Sequence, residues 1–167
     1  MLQMDANLQT VFLSQFNFER FSADIYQAMA AALDTINLVG FAAYLRNRGE
    51  EERTHAQKFS DHLSDRNITP VFDALPAQEL PTWTSAMDAG AACFKKAHAH
   101  EVLVTERIYA LYELSEEIGD HQACEFLRWF IAEQLEELKS LDEWLTRFDL
   151  ARGDGAAILL LDKEMQK

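Results

Sequence analysis

Between Phe41 and His62 the chain places Phe41, Leu45, Arg48, Glu52, His55, Phe59 and His62 at intervals that alternate four and three. That is the repeat of one helix face turned toward partner helices. A strand would alternate every second residue, so the pattern demands a helix and other helices to cover it. Glu52 and His55 sit in the middle of the stripe. Three residues apart on a helix, they are rotated by about 60° and displaced by roughly 4.5 Å. Both side chains can therefore reach one metal ion. Such a Glu-x-x-His pair also arises by chance on solvated faces, so its meaning rests on the rest of the chain.

Three further stripes follow the same period. The first helix is predicted from about Asp5, a candidate N-cap, to Asp34, with Leu8, Phe12, Phe16, Glu19, Ala23, Tyr26 and Ala30 inward. Taken alone, Glu19 reads as an acid at the edge of that stripe with its carboxylate in solvent, since Glu is rarely buried unpaired. A short junction at Thr35–Gly40 makes the second helix, about Leu38 to Asp65, return antiparallel. All three prolines then fall at Pro70, Pro76 and Pro81 and break the helical pattern. About 16 extended residues here can span up to roughly 50 Å, against about 42 Å for the preceding helix. The connection can run the length of a bundle and start the third helix parallel to the second. That helix, about Trp83 to Glu117, carries Phe94, His98, Glu101, Thr105, Ile108 and Tyr112; Gly119-Asp120 ends it and caps the fourth. The fourth, about His121 to Asp149, carries Leu127, Phe130, Gln134, Glu137, Leu141, Trp144 and Phe148.

The chain thus reads as one all-α domain over residues 1–167: a four-helix bundle over about 5–149, with one long crossover between helices 2 and 3. A short fifth helix over about 154–165 follows. Its core, Ala156-Ala157-Ile158-Leu159-Leu160-Leu161, is apolar on every side. It is too short to stand alone and needs protein around it.

The net charge of -13 disfavours nucleic acid or an anionic membrane as partner and is compatible with handling cations. No segment approaches the roughly 20 apolar residues of a membrane span, and Met1–Thr10 lacks the pattern of a secretory leader. Cys93 and Cys124 form no C-x-x-C pair and suit a reducing compartment. A soluble, cytoplasmic protein is expected.

Glu19, Glu52 with His55, Glu101, and Gln134 with Glu137 all fall within about one turn of mid-height on their helices. Each apolar stripe is therefore interrupted at the same level. Unpaired buried carboxylates cost several kcal/mol each, so a set of them implies compensating cations. Oxygen donors with one imidazole and no thiolate suit iron or manganese better than structural zinc or copper(I). Glu52, projecting between the others, is the natural bridge between two ions, with Glu19 and Glu101 at opposite ends.

At this point the chain resembles the bacterial-type non-haem ferritins over nearly its whole length. The resemblance lies in Asn17-Phe18-Glu19-Arg20 with Tyr26, Glu50-Glu51-Glu52-Arg53-Thr54-His55-Ala56, His100-Glu101 with Val104-Thr105-Glu106, and Phe126–Gln134. It extends to Gly153-Asp154-Gly155 and Leu159–Glu164. It implies a ferritin-like bundle, a homo-oligomeric 24-subunit cage, and iron storage after oxidation of Fe²⁺ by O₂ or hydrogen peroxide. One iron would be held by Glu19, Glu52 and His55; the second would share Glu52 and add Glu101, with Gln134 nearby. Tyr26 matches a tyrosine beside that di-iron centre, either with a one-electron role or as a core tyrosine with a satisfied hydroxyl. Glu51, Glu133, Glu136 and Glu137 match acids of a third iron site; for Glu51, Glu133 and Glu136 the alternative is a solvated helix face.

The departures from related patterns are as informative. A bacterioferritin would repeat Glu-x-x-His on the fourth helix, where this chain has Gln134-Leu135-Glu136-Glu137, and would carry a haem-ligating Met where Arg53 stands. No haem is expected. The acids of the animal three-fold pore would fall at Cys124 and Leu127. A rubrerythrin-like di-iron peroxidase or electron-transfer protein is the alternative reading. It would want two Glu-x-x-His motifs and a rubredoxin-like cysteine cluster, and the sequence has neither.

Overall fold

A computed structural model describes residues 3–166, which form five helices and no strand. Helix α1 spans Ala6–Asp34, and Asp5 caps it by accepting from the backbone N–H of Asn7 and Leu8. Helix α2 spans Val39–Asp65, entered through a tight turn with Asn37 at φ 62°. Helix α3 spans Ala86–Ile118 and ends at Gly119, whose φ of 80° is the left-handed conformation in which glycine carries no steric penalty. Helix α4 spans His121–Ala151, capped by Asp120 through Ala123 N–H. Helix α5 spans Gly155–Glu164, capped by Asp154.

Aromatic contacts give the helix directions. Phe41 at the start of α2 lies 6.0 Å from Phe94 near the start of α3 and 5.1 Å from Phe148 near the end of α4. At the other end His62, late in α2, stacks 4.3 Å from Phe126, early in α4, and 5.3 Å from Phe12 in α1. Helices α2 and α3 are therefore parallel, and α1 and α4 run against them. The crossover travels the length of the bundle, as its proline-bearing stretch predicted. It is fastened to α1 on the way: Asn17 Nδ2 donates to Val71 O at 2.8 Å, and Asp73 N donates to Asn17 Oδ1 at 3.0 Å. Arg20 stacks over Phe72 at 4.8 Å.

Sequence and structure differ on the face of α3. The stripe through His98 and Tyr112 lies at its margin: His98 is half-buried, 3.0 Å from Asp142. The buried face runs instead through Cys93, Phe94, Ala97, His100, Glu101, Val104 and Ile108. A helix between two neighbours buries a face wider than one seam, and here α1 claims the side on which His100 lies.

Two apolar clusters fill the ends of the bundle. One gathers Met29, Leu33, Phe41, Leu45, Phe94, Leu141 and Phe148. The other gathers Leu8, Phe12, Phe59, Leu63, Ile108, Leu127 and Phe130. Between them lies a layer that is buried and polar. Helix α5 closes the first end, where buried Asp162 accepts from Phe41 N–H at 2.9 Å and supplies the cap that Leu38 cannot.

Candidate metal centre

Each bundle helix delivers its polar residue to the mid-height layer. Helix α1 brings Glu19, α2 brings Glu52 and His55, α3 brings Glu101, and α4 brings Glu137; all five are buried, with Glu19, Glu52 and Glu101 at 0% exposure. Oxygens of Glu19 and Glu52 and a ring nitrogen of His55 lie within 4.8 Å of one another. Oxygens of Glu52, Glu101 and Glu137 do the same, as do donors of His55, Glu133 and Glu137. Glu52 thus belongs to two groups and Glu137 to two.

The protein supplies hydrogen bonds to only some of these atoms. Gln15 Nε2 donates to Glu19 Oε1 at 2.7 Å, and the Tyr26 hydroxyl donates to Glu101 Oε1 at 2.5 Å. Gln134 Nε2 donates to Glu137 Oε2 at 2.5 Å, while Gln134 Oε1 accepts from Thr105 at 2.8 Å. The other Glu137 oxygen lies 2.6 Å from the Arg48 guanidinium. Glu19 Oε2, Glu101 Oε2 and both oxygens of Glu52 meet no donor. Several unpaired acceptors buried together are costly unless something else supplies positive charge.

Titration directions express the same strain. Burial, then the nearby Glu52 carboxylate, pushes Glu19 well above the usual carboxylate range. Burial, then Glu101 and Glu137, does the same to Glu52. Glu101 is raised by burial against the opposing pull of the Tyr26 hydroxyl. Glu137 is raised by burial and Glu101 against the opposing pull of the Arg48 guanidinium. Tyr26 is itself raised, by burial and then Glu101, and stays a phenol. Hard oxygen donors that share a bridging carboxylate, with one imidazole and no thiolate, fit divalent iron.

The remaining residues singled out in the sequence lie around this layer. Gln134 is buried beside it, but its carbonyl oxygen is engaged by Thr105, so its amide orients Glu137. Glu133 is half-buried at one corner. Glu51 is exposed and accepts from Arg48 Nη1 at 2.6 Å. Glu136 is exposed and joins none of the groups.

Comparison with known proteins gives the family. A family model described as a ferritin-like domain matches residues 12–151. The chain belongs to the ferritin family. It is 32% identical over 162 residues to a bacterial non-heme ferritin of Staphylococcus aureus, covering 97% of this chain and 95% of that one. To its Staphylococcus epidermidis counterpart it is 33% identical over 151 residues, covering 90% and 88%. Among solved structures, an open-pore ferritin of the archaeon Archaeoglobus fulgidus superimposes with a TM-score of 0.91 at 33% identity, covering 98% of each chain.

Sequence reasoning left several members of this ferritin layer without a part. Arg48 stood in the α2 stripe, and a cation one turn from Glu52 on an inward face was a signal that it pairs with a buried acid. Gln15, four residues before Glu19, had the spacing of a helical hydrogen-bond partner. His100, buried against Ser22 Oγ at 2.7 Å and stacked on Phe18, gave no signal beyond its place beside Glu101.

The raised carboxyls have a measurable consequence. An unfolded chain has released the Glu19 and Glu52 protons by pH 6.5, whereas the folded protein, which holds both carboxyls well above the usual range by burial, retains them to higher pH. The native state then binds more protons than the unfolded one, so stability without metal falls as pH rises through this window. His100 works in the opposite sense. Burial, with Lys96 and Arg107, lowers it to about 4, so its contribution is lost as pH falls from its ordinary 6.5 toward 4. Between pH 6.5 and 8 only the carboxyls act. The melting temperature of the chelator-treated protein is expected to fall by roughly 5–10 °C across that interval. Calorimetry should find a large part of this fall missing in Glu19→Gln; a flat or rising wild-type profile would contradict it.

Proposed function

We propose that this chain is the subunit of an iron-storage ferritin that oxidises Fe²⁺ to Fe³⁺ at a pair of positions in its mid-bundle layer. The observation that carries the reading is Glu52: fully buried, free of any hydrogen-bond donor on either oxygen, and shared by two ligand groups. Glu19, Glu52 and His55 would bind one ferrous ion as substrate, and Glu52, Glu101 and Glu137 a second. Each ion gives up one electron to O₂ or hydrogen peroxide, and the ferric product passes to a mineral stored inside a cage of identical subunits. The names of the Staphylococcus relatives support storage, and the whole-length likeness to the Archaeoglobus ferritin supports self-assembly.

The neighbouring side chains serve this task by position. Gln15 and Tyr26 fix one oxygen each of Glu19 and Glu101 and leave the other free to bind. Tyr26 is also placed to supply a single electron beside the second position. Thr105 sets the orientation of Gln134, which aims Glu137. Glu51, which shares the Arg48 guanidinium with Glu137, and Glu133, grouped with His55 and Glu137, are proposed to accept iron leaving the pair, with Glu136 as an exposed surface acid. A cytoplasmic location without nucleic-acid or membrane partners belongs to the same reading; no helix among the described residues can cross a membrane. The reading includes no haem.

The test is direct. Purified protein receives Fe²⁺ without oxygen and is then exposed to air or to hydrogen peroxide, with near-ultraviolet absorbance followed in time. Fast growth of ferric absorbance, far above that of buffer alone, is expected, saturating first at two ions per subunit. Growth at the rate of buffer with both oxidants would overturn the reading.

A further inference from the structure

The buried layer already holds one positive charge. Arg48 lies one turn before Glu52 on α2, its side chain only 12% exposed. Its guanidinium is a fork: Nη1 donates to the exposed Glu51 at 2.6 Å, and Nη2 lies 2.6 Å from the buried Glu137. The second contact has the distance of an ion pair without the alignment of a hydrogen bond, and Arg48 Nε meets no acceptor. It is a Coulombic contact, which another cation can replace without loss of directional bonding. Glu19, Glu52 and His55 have no such resident partner.

Charge counting shows what must give way. Glu19, Glu52, Glu101 and Glu137 offer four negative charges when ionised. Two divalent ions cancel all four, and Arg48 then becomes a surplus cation facing a metal ion across Glu137. Its other arm already reaches an acid in solvent.

Resting on the function proposed above, we propose that Arg48 is a tethered cation that occupies Glu137 until an incoming divalent ion displaces it toward Glu51. The two metal positions therefore fill in order, Glu19/Glu52/His55 first and Glu52/Glu101/Glu137 second. Any ion held by His55, Glu133 and Glu137 must likewise wait for the guanidinium to leave.

Zinc, which is divalent and inert to oxidation, separates binding from chemistry. Titration calorimetry of the assembled protein with Zn²⁺ is expected to show two classes of site per subunit. In Arg48→Gln, which keeps a donor but removes the charge, the weaker class should tighten by roughly 10- to 100-fold, the scale of losing one like charge a few ångströms away. The stronger class should change by less than about threefold, and Arg48→Lys should resemble wild type. In a zinc-loaded crystal of the wild type, which needs no variant to fold, the guanidinium should have left Glu137. An unchanged or weakened second class in folded Arg48→Gln, or an Arg48–Glu137 contact intact beside a filled second position, would overturn the proposal. Absence of zinc and anaerobic Fe²⁺ binding in the wild type would instead remove the metal reading on which it rests.

Discussion

Replacing Glu52 by alanine is expected to abolish fast Fe²⁺ oxidation, with a loss of at least about 100-fold, while the bundle stays folded. Glu52 is the carboxylate common to both proposed positions, so its removal damages both at once. His55→Ala should approach the same loss by taking the only imidazole from the first position. Neither change should unfold the protein. Glu52 makes no hydrogen bond that holds the fold, and removing an uncompensated buried acid relieves Glu19 and Glu101 of a like charge. Stopped-flow absorbance gives the rate, and calorimetry of the metal-free protein gives the stability. Oxidation within about twofold of wild type in either variant would move the chemistry away from this layer.

The second large effect concerns assembly. Ending the chain at Arg152 is expected to leave a helical bundle that no longer forms full-size cages. Helix α5 is two-sided: Ile158 and Asp162 are buried against the bundle, while Leu159 and Leu160 remain 62% and 67% exposed. These exposed leucines, and Leu150 at 77% near the end of α4, are apolar side chains that association with other copies would cover. Truncation also removes the Asp162 cap from α2, which should lower bundle stability by about 1 kcal/mol. Gly40→Ala tests the same seat with the whole chain present. A Cβ at Gly40 would stand 1.7 Å from the Asp162 carbonyl oxygen, so α5 must shift away. Light scattering should show smaller particles for the truncated chain and impaired assembly for Gly40→Ala. A truncated chain that still scatters as a full-size cage would refute this role for α5.

Much of this molecule was legible because helical periodicity is a local property. The interval between Phe41 and His62 defined a helix face, and three other stripes with acids at the same level defined a layer. The prolines at 70, 76 and 81 forced a connection long enough to set α3 parallel to α2. Even α5 announced itself, since ten residues that are mostly apolar cannot stand alone.

What periodicity cannot supply is azimuth and partnership. The same spacing that put Glu101 inward set His98 beside it on the stripe, and only the seat of α1 put His100 on the buried face instead. Gln134 read as a nearby ligand; the Thr105 hydroxyl, from another helix, turned its amide toward Glu137. Glu136 and Glu137 are adjacent in sequence but about 100° apart around the helix, which separates a surface acid from a buried one. Arg48 was visible in the stripe from the start. That its charge meets Glu137, 89 residues further along the chain, followed only from packing α4 against α2. A sequence states which residues face inward; the charges they meet there are set by neighbouring helices, because Coulombic and hydrogen-bonding contacts act across a few ångströms of space and not along the chain.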